Sequence, residues 1–429
     1  MKIDQLYSLF LNCSSISTDT RSIPKDALFF ALKGDNFNGN QFAEQAIASG
    51  ALYAIVDEKE HENKENNIFW VKDTLVALQA LAQYHRNTMK TPILALTGSN
   101  GKTTTKELIT KVLQKKLNTL ATIGNLNNHI GVPLTLLRIK EHHDLAVVEM
   151  GANHQKEIEF LCEIAAPDFG YITNFGKAHL EGFGGEEGVI KGKSELYHYL
   201  RNHSKTAFVN ADDSKQLELT YDTDTISFGT QSEAGFHFQY HQNFEGKCPE
   251  LTYNSISIQS QLVGEYNISN VAAAVAIGLH FEVPIEDIKQ AIEAYTSGDN
   301  RSQIIQKENC QIILDAYNAN PSSMEAALYN FHLIKGEKMV ILGDMFELGT
   351  ASKAEHQRIA ELAHQLHFDQ ILLIGKNFHQ IQPIISKKVF TFDNKAQAGQ
   401  HLTNSPNLPK NILIKGSRGM ALETLVDLF

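Results

Sequence analysis

The stretch Thr97-Gly98-Ser99-Asn100-Gly101-Lys102-Thr103-Thr104-Thr105 decides the fold. It follows a short apolar run, Ile93 to Thr97, which is the right length for a buried strand. It precedes KELITKVLQKKL, in which Leu108, Ile109, Val112, Leu113 and Leu117 share one helical face. Strand, glycine turn and helix in that order build a phosphate site. The glycines let the backbone fold tightly, so that successive N–H groups point at phosphate oxygens, and the helix start adds its dipole. Lys102 supplies a cation toward the β and γ phosphates, and the Thr103 hydroxyl is placed to hold Mg2+. Gly98, Ser99, Asn100, Gly101, Lys102, Thr103 and Thr104 are therefore the expected nucleotide contacts of this loop. The plainer reading is a glycine turn that happens to precede a helix, and the flanking strand and helix count against it. The loop is also short. GxxGKT runs from Gly98 to Thr103, and Leu96 stands where the longer GxxxxGK[ST] pattern has its first glycine. That departure sets the chain apart from ordinary kinases and GTPases.

On either side, the pattern divides the chain into three expected domains, residues 1–88, 89–299 and 300–429. The first mixes short strands (Asp26 to Leu32, Leu52 to Glu58) with helices and ends on TLVALQALAQYHRNT. In the second, DLAVVEMG and FGYITNFG add buried strands, and the shorter alternating segments from Thr206 to Leu262 predict antiparallel strands beside the parallel core. Helices are expected over Asn267–His280 and Ile285–Tyr295. In the third, the strands IILD, MVILG, ILLIG and ILIKG alternate with helical stretches, the plan of a doubly wound parallel sheet. The fold class is thus α/β: a small N-terminal α/β domain, a central P-loop parallel-sheet domain with added antiparallel strands, and a C-terminal Rossmann-like domain.

Bulk properties narrow the partners. A net charge of -11 argues against nucleic acid, although a basic pocket for a phosphorylated small molecule is compatible with it. Cys13, Cys162, Cys248 and Cys310 form no CxxC pair and read as buried free thiols of a reducing compartment. There is no signal-peptide pattern and no apolar run long enough to span a membrane. The expectation is a cytoplasmic protein without membrane insertion. It is also expected to be a monomer, since no coiled-coil pattern or apolar surface stripe appears.

Further stretches, read in order, carry a resemblance: STDTR (17–21), GSNGKTTTKE (98–107), NLNNHIGVPLTLL (125–137), VVEMGANHQKEI (147–158), AHLEGFG (178–184), GKSE (192–195), GEYNISNVAAAVAIG (264–278), DAYNANPSSMEAAL (315–328), LGDMFELG (342–349) and KGSRG (415–419). Together they resemble the Mur ligases, which share the short phosphate loop with the ligases that add glutamates to folate. DAYNANP and LGDMFELG are similar to the branch that adds D-alanyl-D-alanine.

The resemblance implies an ATP-driven amide ligation. ATP phosphorylates a terminal carboxylate of a UDP-N-acetylmuramoyl tripeptide, and the amine of D-alanyl-D-alanine displaces phosphate. By the same resemblance Thr103 and Glu149 hold one Mg2+ and His179 a second. Lys193 matches a lysine that the family carbamylates, which turns a cation into an anionic oxygen ligand. The catalytic set implied is Lys102, Glu149, His179 and Lys193. A lone glutamate or histidine is ordinarily a surface or core residue. The MGAN after Glu149 and the AHLE around His179 are what raise these two above that reading. Asn267 and Asn270, which otherwise read as helix caps, match the adenine-contacting segment. Asp315 and Asn318 match ribose and nucleotide contacts, and Arg301 matches a hinge arginine that reaches the phosphates. Thr18, Asp19 and Arg21 are implied at the UDP end, and Asn125, Asn127 and Asn128 at the sugar and peptide. Asn38-Gly39-Asn40 departs from the acidic–Gly–His pattern of the family's uracil segment. Lys415 and Arg418 are either contacts for the dipeptide carboxylate or surface charges.

Two other functions remain open. One is a sister ligase with a different amine donor, which DAYNANP argues against. The other is a P-loop nucleotide-binding regulator without ligase chemistry, which would leave Glu149, His179 and Lys193 together unexplained.

Overall fold

The computed structural model describes residues 1–241, 248–298, 300–405 and 407–429. The chain divides into two compact units, Met1–Leu96 with Leu117–Gly151 and Glu157–Gly170, and Thr97–Lys116 with Ala152–Lys156 and Tyr171–Phe429.

In the first unit, Ile16–Ser17, Ala27–Phe30, Ala51–Val56 and Ile68–Trp70 lie side by side in a parallel sheet. Every residue of Ala27–Phe30 is buried, as expected of a parallel strand covered on both faces. Phe29, Ala43, Ala46, Ala54, Val56 and Ile68 form the core beneath it. The helix Thr74–Thr88 has the predicted bounds; the Asp73 side chain accepts from Val76 N–H at 2.9 Å and caps its start. A second group of parallel strands places Leu145–Glu149 between Ile93–Thr97 and Thr119–Ala121. Leu145–Glu149 is buried throughout, so its terminal carboxylate is carried to the edge of an apolar layer.

In the second unit, the loop of Gly98–Gly101 opens the helix Lys102–Leu113. Leu108, Ile109, Val112 and Leu113 are fully buried, while Leu117 lies beyond the helix end. This helix packs against Ile268–His280, whose run of alanines allows close approach; a Cβ on Gly278 would come within 2.4 Å of Val112. Thr206–Asn210 and Asp224–Gly229 pair in parallel, and Asp224–Gly229 continues in parallel to Phe236–His237. The antiparallel strands predicted from Thr206 onward begin only at Gln239–His241, which pairs with Glu250–Tyr253 and then Ile256–Gln259. TAFVN thus lies in a largely buried parallel strand and ISFG in a parallel strand buried only at its end, a distinction that alternation alone does not make.

The C-terminal sheet has the order Gln303–Gln306, Gln311–Asp315, Asn411–Lys415, Lys338–Gly343, Gln370–Ile374, Val389–Phe392. Its pairs are parallel except the first, which adds an antiparallel edge strand to the doubly wound plan. Ile312, Leu314, Met339, Ile341, Ile412 and Ile414 fill one face. Among the described residues, no helix is long and apolar enough to cross a membrane. Cys13 and Cys162 are buried as expected, but Cys248 and Cys310 are only partly so.

Candidate functional site

Gly98 leaves the strand at φ +143°, and a Cβ there would lie 2.0 Å from Thr173 Oγ1. Gly101 has φ +78° and sits against Asn270, which a Cβ would approach to 2.8 Å. Both glycines are therefore required, one by backbone conformation and a close neighbour, the other by its left-handed turn into the helix. Gly101 caps the helix with backbone alone and brings no side chain across its first N–H groups, the arrangement that receives an anion.

The loop between the two glycines is pinned on one side by the end of Phe169–Ile172 and the residues after it. Ser99 N–H donates to Asn174 O (3.1 Å) and Ser99 Oγ to Gly176 O (2.7 Å). Asn100 N–H donates to Asn174 Oδ1 (3.1 Å), while Thr173 Oγ1 (2.6 Å) and Asn174 Nδ2 (3.0 Å) donate to Asn100 O. Lys102 Nζ donates to Gly98 O at 2.8 Å, which keeps its ammonium over the loop. Thr103 is 7% exposed, and Thr104 is half-buried.

Behind the helix, Thr105 Oγ1 donates to Asn270 Oδ1 (3.0 Å), Asn270 Nδ2 to Asn267 Oδ1 (2.8 Å), and Asn267 Nδ2 to Val263 O (2.8 Å). Asn267 and Asn270 are both buried. Their amides therefore join the phosphate-loop helix to the start of Ile268–His280. The sequence reading missed Thr105, Thr173 and Asn174 as supports of the loop. The signal for the last two was two polar residues at the carboxyl end of an apolar strand.

Thr103 belongs to the second unit and Glu149 to the first. Glu149 is 1% exposed; its Oε1 accepts from Asn127 Nδ2 (2.7 Å), and its own N–H donates to Thr122 Oγ1 (3.0 Å). Asn127 thereby helps to orient this carboxylate. Asn128 Oδ1 accepts from Ile130 N–H and Gly131 N–H at the start of Gly131–Leu136, a capping role, while Asn125 is exposed. Near the N-terminus, Arg21 donates through Nε and Nη2 to the Asp19 carboxylate in a two-pronged pair, which holds that carboxyl down at about 2. Thr18 is half-buried beside it. Asn38 and Asn40 are engaged internally. Asn40 Nδ2 donates to Asp57 Oδ1 (2.8 Å), and Asn38 Nδ2 to Glu58 Oε1 (3.0 Å).

His179 adopts φ +52°, and its Nδ1 meets the Glu347 carboxylate, which the histidine holds below the usual carboxylate range. A carboxylate on Nδ1 fixes ring orientation and turns Nε2 toward any ligand, the arrangement common behind metal-binding histidines. Lys193 lies in the helix Glu186–Asn202 and is fully buried. Its Nζ donates to Ala152 O (3.1 Å) and sits 4.9 Å from the centre of the Phe183 ring. Gly192 makes room for that ring, since a Cβ would lie 2.3 Å from it.

In the C-terminal sheet, Asp315 ends its strand and pairs with Lys415; its Oδ1 also accepts from Ser302 N–H (3.2 Å). Lys415 is 2% exposed and so is no surface charge, whereas Arg418 is exposed and pairs with Glu423. The Arg301 guanidinium stacks 3.7 Å from the centre of the Tyr317 ring, and Asn318 is exposed with its Oδ1 on Ala319 N–H. Asp315, Arg301, Asn318 and Lys415 thus cluster at the carboxyl ends of the strands, where open α/β sheets bind ligands.

Comparison with known proteins adds a separate finding. The chain matches the family descriptions "Mur ligase family, catalytic domain" over residues 12–86, "Mur ligase middle domain" over 96–278 and "Mur ligase, glutamate ligase domain" over 300–418. It is 34% identical to the UDP-N-acetylmuramoyl-tripeptide--D-alanyl-D-alanine ligase of Bacillus subtilis, over 96% of this chain and 92% of that protein. Among solved structures it is similar to MurF from Acinetobacter baumannii, with TM-score 0.86 and 33% identity over 100% of this chain and 98% of that one. It is similar also to MurF ligase from Thermotoga maritima in complex with ADP, with TM-score 0.83 and 25% identity over 98% and 97% of the two chains.

Proposed function

The chain belongs to the Mur ligase family, and from that premise we propose that it is the ATP-dependent ligase that joins D-alanyl-D-alanine to UDP-N-acetylmuramoyl tripeptide. Its products are the UDP-linked pentapeptide precursor of the cell wall, ADP and phosphate. The observation that carries this reading is the likeness along nearly the whole chain to ligases of that name, over a phosphate loop held open by Gly98 and Gly101. In this account residues 1–88 bind the UDP end, 89–299 bind ATP, and 300–429 bring Arg301, Asp315 and Asn318 to the nucleotide and receive the dipeptide. The protein acts as a cytoplasmic monomer.

Taken one by one, the donors implied for Mg2+ have suitable chemistry. Thr103 and Glu149 offer the hydroxyl and carboxylate oxygens that this hard cation takes, and Glu149 is oriented by Asn127 rather than spread in solvent. His179 with Lys193 would serve a second ion. When bound, Mg2+ neutralises charge on the phosphates during transfer. Lys102 adds a fixed cation to the same loop, and the first N–H groups of its helix face the transferred group. Burial of Lys193 against Ala152 O and the Phe183 ring encloses its amine, and carbamylation there supplies an oxygen ligand in place of an ammonium.

A donor screen read by mass tests the proposal. With ATP, Mg2+ and the UDP-linked tripeptide, the purified protein should convert D-alanyl-D-alanine to the pentapeptide product and leave single amino acids unligated. Ligation of a single amino acid would move the chain to a sister activity.

A further inference from the structure

The supports of Asn100 come from two places. Thr173 and Asn174 hold its backbone, as described above. Its side chain is held from the C-terminal segment: Asn320 Nδ2 donates to Asn100 Oδ1 at 2.7 Å, across 220 residues of sequence. Asn320 is 5% exposed and is also the N-cap of the helix Pro321–His332. Its Oδ1 accepts from Ser323 N–H (2.9 Å), while Ser323 Oγ accepts from Asn320 N–H (3.1 Å). The same helix turn reaches the adjoining loop, where Lys177 N–H donates to Ser322 Oγ (2.8 Å) and Gly176 leaves room for Ser322 and Asn100.

One asparagine therefore does two separable things. Its oxygen caps a helix, which any short acceptor can do. Its amide N–H grips the phosphate loop, which a cap does not require. We infer that Asn320 is a positioning residue for nucleotide binding, through which the C-terminal segment sets the conformation of the phosphate loop by way of Asn100. The inference rests on the nucleotide reading of that loop. The loop's N–H groups are useful to a phosphate only if they converge, and Asn100 lies between the two glycines that aim them. Releasing its side chain leaves a flexible loop that must be ordered again at each binding event.

The two roles come apart in two substitutions. Asn320→Ser keeps a capping hydroxyl but is too short to reach Asn100. Ser323→Ala weakens the capping box and leaves the Asn320–Asn100 bond in place. MgADP affinity is measured by calorimetry, and KM for ATP and thermal midpoint are measured alongside. Asn320→Ser should bind MgADP about three- to tenfold more weakly, the range of one lost hydrogen bond, with a midpoint close to that of the parent. Ser323→Ala should lower the midpoint and leave MgADP affinity unchanged. Equal MgADP affinity in Asn320→Ser and the parent overturns the inference, as does a loss of affinity in both variants that follows stability. A parent protein that does not bind MgADP at all would overturn the nucleotide reading itself.

Discussion

Lys415 lies in register beside Asp315 at the carboxyl ends of neighbouring parallel strands, and its ammonium is ion-paired with that carboxylate at 2% exposure. A buried pair of this kind is costly to break from one side, because the remaining charge has nowhere to go. Without Lys415, the Asp315 carboxylate, 16% exposed, keeps Ser302 N–H but loses its counter-charge. Lys415→Ala should therefore destabilise the protein by about 3 kcal/mol, read as a lower denaturant midpoint. It should also weaken ATP binding, because Asp315 loses the group that fixes it. An unchanged midpoint would show that the pair has no structural weight.

Gly98→Ala is the sharpest probe of the loop. The new Cβ would meet Thr173 Oγ1 at 2.0 Å in a backbone conformation that alanine rarely adopts. Relieving that overlap by a shift of about 1 Å beside the reacting phosphates should lower ligation about 100-fold, while circular dichroism shows the remaining fold intact. A fully active variant would mean that the loop does not hold the phosphates.

His85 gives the N-terminal region a pH dependence. Its Nε2 faces Ile139 O (2.9 Å) and its Nδ1 faces Tyr7 OH (3.2 Å), so the neutral ring satisfies both partners. Burial lowers its pKa, and the nearby Lys140 lowers it further, against an opposing contribution from Ile139 O. The unfolded chain thus binds this proton more readily than the folded one, and stability rises with pH across the interval between the two pKa values. Stability should fall as pH drops below the unfolded value of about 6.5, and His85→Gln should flatten that slope. Denaturant midpoints at a series of pH values measure it; parallel slopes for the two proteins would exclude His85 as the source.

Lys193→Ala should lower ligation by about 100-fold. Parent protein freed of dissolved CO2 should regain activity on addition of bicarbonate, with no such response from the variant. Full activity in Lys193→Ala together with indifference of the parent to bicarbonate would remove the carbamate from the account.

Much of the fold was legible because it rests on local patterns. The helix Thr74–Thr88 carries its own cap in Asp73, and the C-terminal strands are unbroken apolar runs between helices. The phosphate loop announced itself through Gly98, Gly101 and Lys102. What stayed hidden are relations between distant segments. Asn320 stands inside DAYNANP with no local sign of a distant partner, and only the structure brings it to Asn100. Glu347 carries no signal that it meets His179. Lys415 could be read equally as a surface charge until its burial was known. The parallel pairing of Thr206–Asn210 with Asp224–Gly229 was missed for the same reason, since pairing direction depends on the crossover and not on the strand's own residues.

The central claim is that ATP consumption by this protein depends on one particular acceptor and one particular amine. Phosphate release is measured with purified protein, ATP and Mg2+, in the presence of UDP-N-acetylmuramoyl tripeptide and D-alanyl-D-alanine, and again with each of the two omitted in turn. The account predicts sustained release only in the complete mixture. Sustained release without the dipeptide, or ATP binding with no release in any mixture, would contradict it.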